Sequence, residues 1–584
     1  MISRTQCFVC PGCSANEFVC FCVGGCGSGV AILELSPLEP ILIALGSLLK
    51  PMHSIKKRTL IGLAILMWAC LACPVFSQPQ AANEATELDE EAVVRQYCAT
   101  CHAFTEPDLL PKKSWQFLLS YMGFFLGVRD YSLLRGSSEH VMDTIEAREE
   151  FVREANLFPE EPILTVPEWL AIRNYFLTNA PEEAIPQISK PAIEEDSSLF
   201  EPKKTQFTGK NSITSLVHID EVSGYVLVHD SANQRLSILN RDLEFHDAHE
   251  APGVFLIEAE SRENEIYLLN IGDLFASEIG KPYGEFQYAK FRSGFYYGMK
   301  NLIEDLHRPA DFCFSDLNGN GVEELLVSNF GDYTGNLSLY KKNTRGEFDS
   351  EPQLLSAEPG IVQSEVGDFN NDGRQDILVL TSAGRESVSM IVNEGNGQFS
   401  QKKLVEAHPS FGYTGMVLRD FNEDGRMDFL TLNGDNADSD PYNTLKRDQG
   451  IRIYLNQGDL EFEEAYFYPM YGVYKAAIED FDLDGDFDIA AISFFPDFYP
   501  EKPENFVLLE QTGPLEFKPK THPATYNGRW LTMDAGDIDG DGDKDLILGA
   551  AYSPVGMRAN HEEKYLKLLE DGPPLLVLDN KSIN

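Results

Sequence analysis

The hydrophobic pattern changes from helix-type to strand-type near residue 209. Before that point apolar residues recur at spacings of three and four, as in residues 166–176, where Pro167 stands in the first turn. This spacing puts apolar side chains on one face of a helix, and proline is favoured at helix starts. The pattern predicts this helix and two earlier ones, at residues 90–97 and 115–122.

Beyond residue 209 the apolar residues form short runs that continue to the C-terminus. Gly224–His229, Glu265–Leu269 and Leu575–Leu578 are examples, rich in branched and aromatic side chains. Such runs predict strands. Prolines set among Glu, Ser and Lys separate the two textures at residues 183–208 and predict a linker.

The N-terminal residues predict an exported protein. Met52 is followed by a basic stretch ending at Arg58, an apolar run from Leu60 to Phe76, and a cleavage-type sequence ending at Ser77. This order is that of a secretory signal, which indicates a periplasmic, cell-surface or extracellular location. Anchoring in the membrane through this segment, or through a lipid on Cys73, stays an alternative.

A signal of this kind normally stands at the N-terminus. We therefore interpret the residues before it as an upstream extension from a misassigned start, which takes the cysteine-rich first residues out of the mature protein. With a polar segment and the two folded regions, the predicted organisation is an extension at 1–51, a signal peptide at 52–77, a loose segment at 78–89, an all-α domain at 90–182, a linker at 183–208 and an all-β domain at 209–584.

Five segments of the second half share the nonamer D-x-[DN]-x-[DN]-G-x-x-[DE], and their first aspartates are 52, 52, 60 and 57 residues apart. Oxygen side chains at positions 1, 3, 5 and 9 and a glycine at position 6 suit calcium, which prefers six to eight oxygens. Strand-type runs, rather than helices, follow position 9, so the loops are not EF-hands. The predicted ligands of up to five Ca²⁺ are Asp316, Asn318, Asn320, Glu324, Asp368, Asn370, Asp372, Asp376, Asp420, Asn422, Asp424, Asp428, Asp480, Asp482, Asp484, Asp488, Asp537, Asp539, Asp541 and Asp545.

These loops resemble the FG-GAP/VCBS repeats of integrin-like β-propellers, in which a calcium loop joins two strands of each four-stranded blade. The resemblance covers roughly residues 309–584, and residues 209–308 have the length of two further blades. It implies an all-β propeller with seven blades and calcium in a structural role.

The net charge of the chain restricts the classes of molecule that we expect it to bind. Acidic residues outnumber basic ones by 92 to 47, which gives a formal net charge of −45. Such a surface repels phosphate backbones, so we expect no nucleic acid partner.

Residues 96–102, QYCATCH, carry the second candidate chemistry. Two cysteines two residues apart, followed at once by histidine, are typical of haem c attachment. Zinc and a redox thiol pair are the alternatives. Zinc needs four ligands and no second pair lies nearby, and a thioredoxin-type motif would follow a strand rather than a helix. Cys98 and Cys101 would form the thioether bonds, and His102 would supply the proximal nitrogen.

The stretch from Cys98 to Gly127 resembles cytochrome c modules fused to VCBS propellers in exported bacterial proteins. This resemblance implies a small all-α cytochrome c domain in which Met122 is the sixth haem ligand. Met142 and His140 are the alternatives to it.

The sequence is compatible with three functions. In the favoured one, the haem domain exchanges electrons with a redox partner protein or a small carrier, while the propeller binds a protein or glycan. In the second, the propeller is a quinohaemoprotein-like dehydrogenase, although it has one tryptophan, Trp530, where such propellers repeat tryptophan motifs. In the third, the protein is a calcium-dependent adhesion module. Whether it is an enzyme is open.

Overall fold

The computed structural model describes residues 89–272, 282–331, 333–436 and 440–583. Residues Glu87–Asn584 form one structural unit. The predicted extension and signal peptide, and all but Asp89 of the loose segment, lie outside the described residues. Within the described ranges, no helix combines the length and the apolarity that a membrane span requires.

The first described part is a helical module. Asp89 caps the helix α1 (Glu90–Cys98), since its side chain accepts a hydrogen bond from the Ala92 amide, and Thr165 and Glu168 form a capping box at the start of α4 (Val166–Asn179). The predicted helices fall within α1, α2 and α4, and α3 is additional. The helices are α1 Glu90–Cys98, α2 Lys112–Phe125, α3 Glu139–Glu154 and α4 Val166–Asn179, with 3-10 turns at Pro107–Leu109 and Tyr131–Leu134.

The second described part contains seven sheets. Five are built from four sequential strands, and the last two each include a strand from earlier in the chain. The first four are blade one, β3 Thr214–Asp220, β4 Tyr225–Asp230, β5 Arg235–Leu239 and β6 Phe245–Glu250; blade two, β7 Leu256–Arg262, β8 Glu265–Asn270, β9 Gly284–Arg292 and β10 Phe295–Leu306; blade three, β11 Pro309–Ser315, β12 Glu324–Asn329, β13 Asn336–Tyr340 and β14 Gln353–Ser356; and blade four, β15 Ile361–Gly367, β16 Asp376–Thr381, β17 Ser387–Gly395 and β18 Gln398–Glu406.

The remaining blades complete a seven-bladed β-propeller, which confirms the predicted fold of this region. Their strands are blade five, β19 Tyr413–Arg419, β20 Asp428–Asn433, β21 Gly450–Gly458 and β22 Glu461–Pro469; blade six, β23 Val473–Glu479, β24 Asp488–Ser493, β25 Phe506–Gly513 and β26 Glu516–Thr521; and blade seven, β27 Trp530–Gly536, β28 Asp545–Ala550 and β29 Leu575–Asn580, with helix α5 Glu562–Asp571 between the last two.

Two strands from the segment before residue 209 join blades six and seven. β1 Glu194–Glu195 pairs in parallel with β26 as a fifth strand of blade six, and β2 Phe200–Lys203 pairs antiparallel with β29 as the outer strand of blade seven. Residues 183–208, predicted as a linker, therefore supply the outermost strands of the last two blades.

The second strand of a blade is its most buried element. Every residue of β12, β16, β20, β24 and β28 is buried. A strand packed between two neighbouring blades has no solvent face, so its sequence is an almost continuous apolar run, as in the LILGA part of β28.

The antiparallel order within each blade gives the propeller two distinct faces. Connections between first and second strands lie at one end of the sheets, and connections between second and third strands lie at the other. All five acidic nonamers are first-to-second connections, so they share one face, here called the loop face. The opposite face is called the module face.

Candidate functional sites

In the acidic loops the side chain at position 1 organises the turn. Asp316 accepts hydrogen bonds from the amides of Asn320, at 3.0 Å, and Gly321, at 2.7 Å, and Asp368 and Asp420 repeat this pattern. The glycine at position 6 has a positive φ in every loop, from 82° to 105°. The apolar residue at position 2 is buried in each loop and fixes it to the core.

Three carboxylates converge in two of these loops. Oxygens of Asp480, Asp482 and Asp484 lie within 4.8 Å of one another in the loop of blade six, and a matching group in blade seven is Asp537, Asp539 and Asp541. Among the described residues, such groups of three occur at these two places. Burial, with the neighbouring negative charges, raises the pKa of Asp482 and Asp539. A set of crowded carboxylate oxygens fits a hard divalent cation.

The carboxylate at position 9 has a second role, which the sequence did not reveal. Asp428 is fully buried and accepts one hydrogen bond from the Phe421 amide, at 2.9 Å, and another from the Asn456 amide, at 2.7 Å. Asp488 and Asp545 make the same two contacts, and burial raises the pKa of both to about 7. In blades five, six and seven, the position-9 side chain therefore joins its loop to the third strand of its own blade.

An asparagine at the end of the third strand extends this connection to the preceding blade. The Asn393 side-chain amide donates to the Leu317 carbonyl at 2.7 Å, and the Asn580 amide donates to the Phe481 carbonyl at 2.8 Å. Asn456 makes the same contact with the Phe369 carbonyl. The accepting carbonyls all belong to position 2 of an acidic loop, so these bonds join blades three and four, four and five, and six and seven.

The CxxCH residues lie where α1 ends. Cys98 is half-buried against the core of the helical module, Cys101 is exposed, and both are free thiols. Burial, with Cys101 nearby, raises the pKa of the Cys98 thiol to about 12, which disfavours a reactive thiolate. The described residues offer no further ligand to make a group of three with this pair, which a zinc site would need.

His102 is oriented by the backbone. Its Nδ1 lies 2.9 Å from the Ala103 carbonyl oxygen, an arrangement that leaves Nε2 for a ligand. Metal-binding histidines generally have their second nitrogen held in this way. The two thiols and this histidine therefore have the chemistry that haem c attachment requires.

The methionines predicted as candidates for the sixth ligand occupy a different part of the module. Met122 on α2 and Met142 on α3 are both half-buried and pack in one cluster with Phe117 and Ile145. Cys98 packs in a neighbouring cluster with Val94 and Phe176. His140 stands near the start of α3. The sixth ligand therefore stays a prediction.

The helical module is hydrogen-bonded to the module face of the propeller. Asp108 forms an ion pair with Arg447 at 3.0 Å, and Lys113 lies 3.9 Å from the ring centre of Tyr442. On the third blade, Tyr333 packs against the ring of Phe125. These propeller residues lie in second-to-third strand connections. The helical module with its CxxCH motif is therefore on the module face, and the acidic loops are on the loop face.

Arg529 is a second feature that the sequence did not reveal. It is fully buried and donates to three backbone carbonyls, those of Phe494, Ser553 and Val555. Burial lowers its pKa to about 9. The guanidinium holds together the long connections of blades six and seven.

Comparison with known proteins supports the repeat. Residues 316–379 and 368–431 match the FG-GAP-like repeat family. A comparison with curated proteins gave no match. Among solved structures, a luciferin-regenerating enzyme is 12% identical over 55% of this chain and 99% of its own, with a TM-score of 0.34. The Pan2 WD40 domain of Neurospora crassa is 11% identical over 67% of this chain and 98% of its own, with a TM-score of 0.39. At these TM-scores neither similarity bears on function.

The chain thus contains FG-GAP repeats within a seven-bladed β-propeller, as predicted. A propeller of this type suggests a binding platform.

Proposed function

We propose that this is an exported electron-transfer protein, in which a haem c-bearing helical module stands on a calcium-braced propeller that binds a protein or glycan. The observation that carries the proposal is the CxxCH site, with its two free thiols and a histidine whose Nδ1 is held by a backbone carbonyl. Covalently attached haem supplies one-electron redox chemistry.

The residues around the site support this role. Cys101 is exposed while Cys98 packs against the module core, so one edge of an attached group would face solvent and the other would face the core. The Arg95 guanidinium lies 4.5 Å from the ring centre of Phe104, and both are close in sequence to the motif. An exposed edge lets a redox partner protein or a small carrier approach.

The acidic loops support the calcium part of the proposal. In blade six, Asp480 has one carboxylate oxygen that is buried and has no hydrogen-bond partner among the described residues. Calcium among these oxygens would offset their mutual repulsion. Because the loops are on the face opposite the module, we assign calcium a structural role and expect it to have no direct effect on haem.

The test is the visible spectrum of protein matured in a host that attaches haem c. We expect a covalent haem spectrum that changes reversibly with reductant and oxidant. The double variant Cys98→Ser with Cys101→Ser should be colourless, and its circular dichroism spectrum should still be that of a folded propeller. A colourless wild-type protein from a host that matures a control cytochrome would refute the haem assignment.

The sixth ligand can be tested with a matched pair. Met122→Ala and Met142→Ala remove half-buried methionines from the same cluster, so their effects on packing are comparable. Methionine ligation raises the haem reduction potential. Met122→Ala should therefore lower the potential while Met142→Ala leaves it unchanged. The reverse result would assign Met142, and no change in either would exclude both.

A further inference from the structure

The five acidic loops differ at position 7, which lies outside the predicted ligand set. The loops of blades four and five have Arg374 and Arg426 there, whereas those of blades six and seven have Asp486 and Asp543. In blade three the residue is Val322. The position-7 side chain is therefore positive in blades four and five, negative in blades six and seven, and uncharged in blade three.

The two arginines contact the position-5 carboxylate of their own loop. Arg374 Nη2 donates to Asp372, and Arg426 Nη2 donates to Asp424. The Nε atom of each donates to the carbonyl of the third-strand asparagine, Asn393 or Asn456, at 2.6 Å. The guanidinium is thus held in place and partly neutralises a carboxylate that a cation would otherwise use.

The two aspartates leave buried acceptor oxygens instead. Asp543 is 1% exposed, and its Oδ1 has no hydrogen-bond partner among the described residues, while its Oδ2 accepts from the Ile583 amide at 3.2 Å. The charges of Asp541 and Asp539 in the same loop act on Asp543. In blade six, Asp486 is half-buried, and its Oδ1 atom is buried without a hydrogen-bond partner among the described residues. A buried, unpaired carboxylate oxygen beside other carboxylates is costly unless a cation lies near it.

We propose that the position-7 residue divides the loops into two classes of cation site. Those of blades six and seven, with Asp486 and Asp543 as additional carboxylates, bind calcium more tightly than the other three. In blades four and five, the arginine side chain neutralises part of the carboxylate charge that a cation would otherwise neutralise. The inference rests on the proposed calcium binding, and it deepens that proposal by fixing which sites fill first.

Blades six and seven are also the blades with which β1 and β2 pair. In addition, the Asn580 amide connects the two loops through the Phe481 carbonyl. Calcium in the tighter class would therefore brace the part of the ring where distant segments of the chain meet.

The experiment is calorimetric titration of the calcium-stripped full chain with CaCl₂ alone. Wild type should show two sites at least about tenfold tighter than any others, because ligand charge tunes calcium affinity. Asp486→Asn with Asp543→Asn should remove this class. Arg374→Asp with Arg426→Asp should raise the number of tight sites to four. Asp349→Asn and Arg345→Asp, at exposed positions, are the matched controls and should leave the number and affinity of the calcium sites unchanged.

Five equivalent sites, or a tight class unaffected by the double Asp→Asn variant, would overturn this inference and leave calcium bracing intact. No calcium binding at any loop would instead refute the calcium part of the proposed function. Circular dichroism of each variant, recorded with and without calcium, separates loss of binding from loss of fold.

Discussion

The hydroxyl oxygens of Ser114 and Thr444 lie 2.7 Å apart in a buried contact between α2 and blade five. Thr444 also donates to Asp440 at 2.6 Å, so Ser114 must donate to Thr444. Because each hydroxyl has a single proton, this chain of bonds has one direction. The helical module is thereby held to the propeller by a specific polar contact as well as by packing.

The first prediction tests this contact. Thr444→Val removes the central hydroxyl and leaves Ser114 and Asp440 buried with unsatisfied groups, which should lower the free energy of unfolding by about 1–3 kcal/mol. Urea unfolding measures the change. Thr344→Val, at an exposed position, is the control and should stay within about 0.5 kcal/mol of wild type. Equal stability of the two variants would contradict the role of the contact.

The second prediction concerns position 9. Asp428→Asn keeps the size of the side chain but replaces one acceptor oxygen by a donor, so either the Phe421 or the Asn456 amide loses its partner. We expect a loss of about 1–3 kcal/mol in calcium-free buffer, measured by chemical denaturation. Asp459→Asn, an exposed change near the same blade, should have little effect. A neutral Asp428→Asn would mean that the carboxylate acts through a cation alone.

The third prediction is a pH dependence caused by Glu386. This side chain is 1% exposed and accepts from the Tyr413 amide of the next blade at 2.8 Å. Burial raises its pKa from 4.5 to about 8. Since the folded state retains a proton that the unfolded state releases, the stabilising contribution is complete below about pH 4.5 and is lost as the pH rises through about 8.

We therefore expect Glu386→Gln to flatten the fall in unfolding free energy between pH 5 and pH 8 by more than about 1 kcal/mol. Urea midpoints of wild type and variant at several pH values provide the measurement. Glu351→Gln, at an exposed glutamate, should reproduce the wild-type profile. Parallel profiles for wild type and Glu386→Gln would show that Glu386 titrates normally.

The fourth prediction is the effect of removing metal. Chelation should lower the melting temperature of the propeller, because a site filled at tenfold its Kd contributes about 1.4 kcal/mol. The haem spectrum should not change, because the acidic loops and the CxxCH module lie on opposite faces. Magnesium should restore less stability than calcium, since it demands a stricter octahedral geometry. Loss of the haem spectrum on chelation would show that the two parts are coupled.

The blade count followed from sequence because it depends on local signals. The nonamer spacing reflects one blade per repeat, and the buried position-2 residues, such as Phe369 and Phe481, are apolar in every loop. The helices at residues 90–97 and 166–176 were also predictable, since their caps and periodicity lie within the segment itself.

Features that depend on distant partners were not predictable. The pairing of β2 with β29 joins residues far apart in sequence, and a run such as FEPK has no strong strand signal by itself. Arg529 is similar, because nothing near it in sequence shows that three carbonyls will surround it. Position 9 was recognised as an oxygen ligand, but its contacts with backbone amides depend on the register of the third strand.

The pairing of β2 with β29 also affects how the protein folds. Phe200 lies opposite Asn580, so blade seven gains its outer strand only when the two ends of a very long segment meet. Contacts of such high sequence separation slow folding, because the entropy of closing the loop is lost before the contact is gained. A nascent polypeptide that lacks β29 would hold six finished sheets and one unfinished one, with exposed backbone groups at its edge. Chaperones would therefore be most needed until β29 has been made.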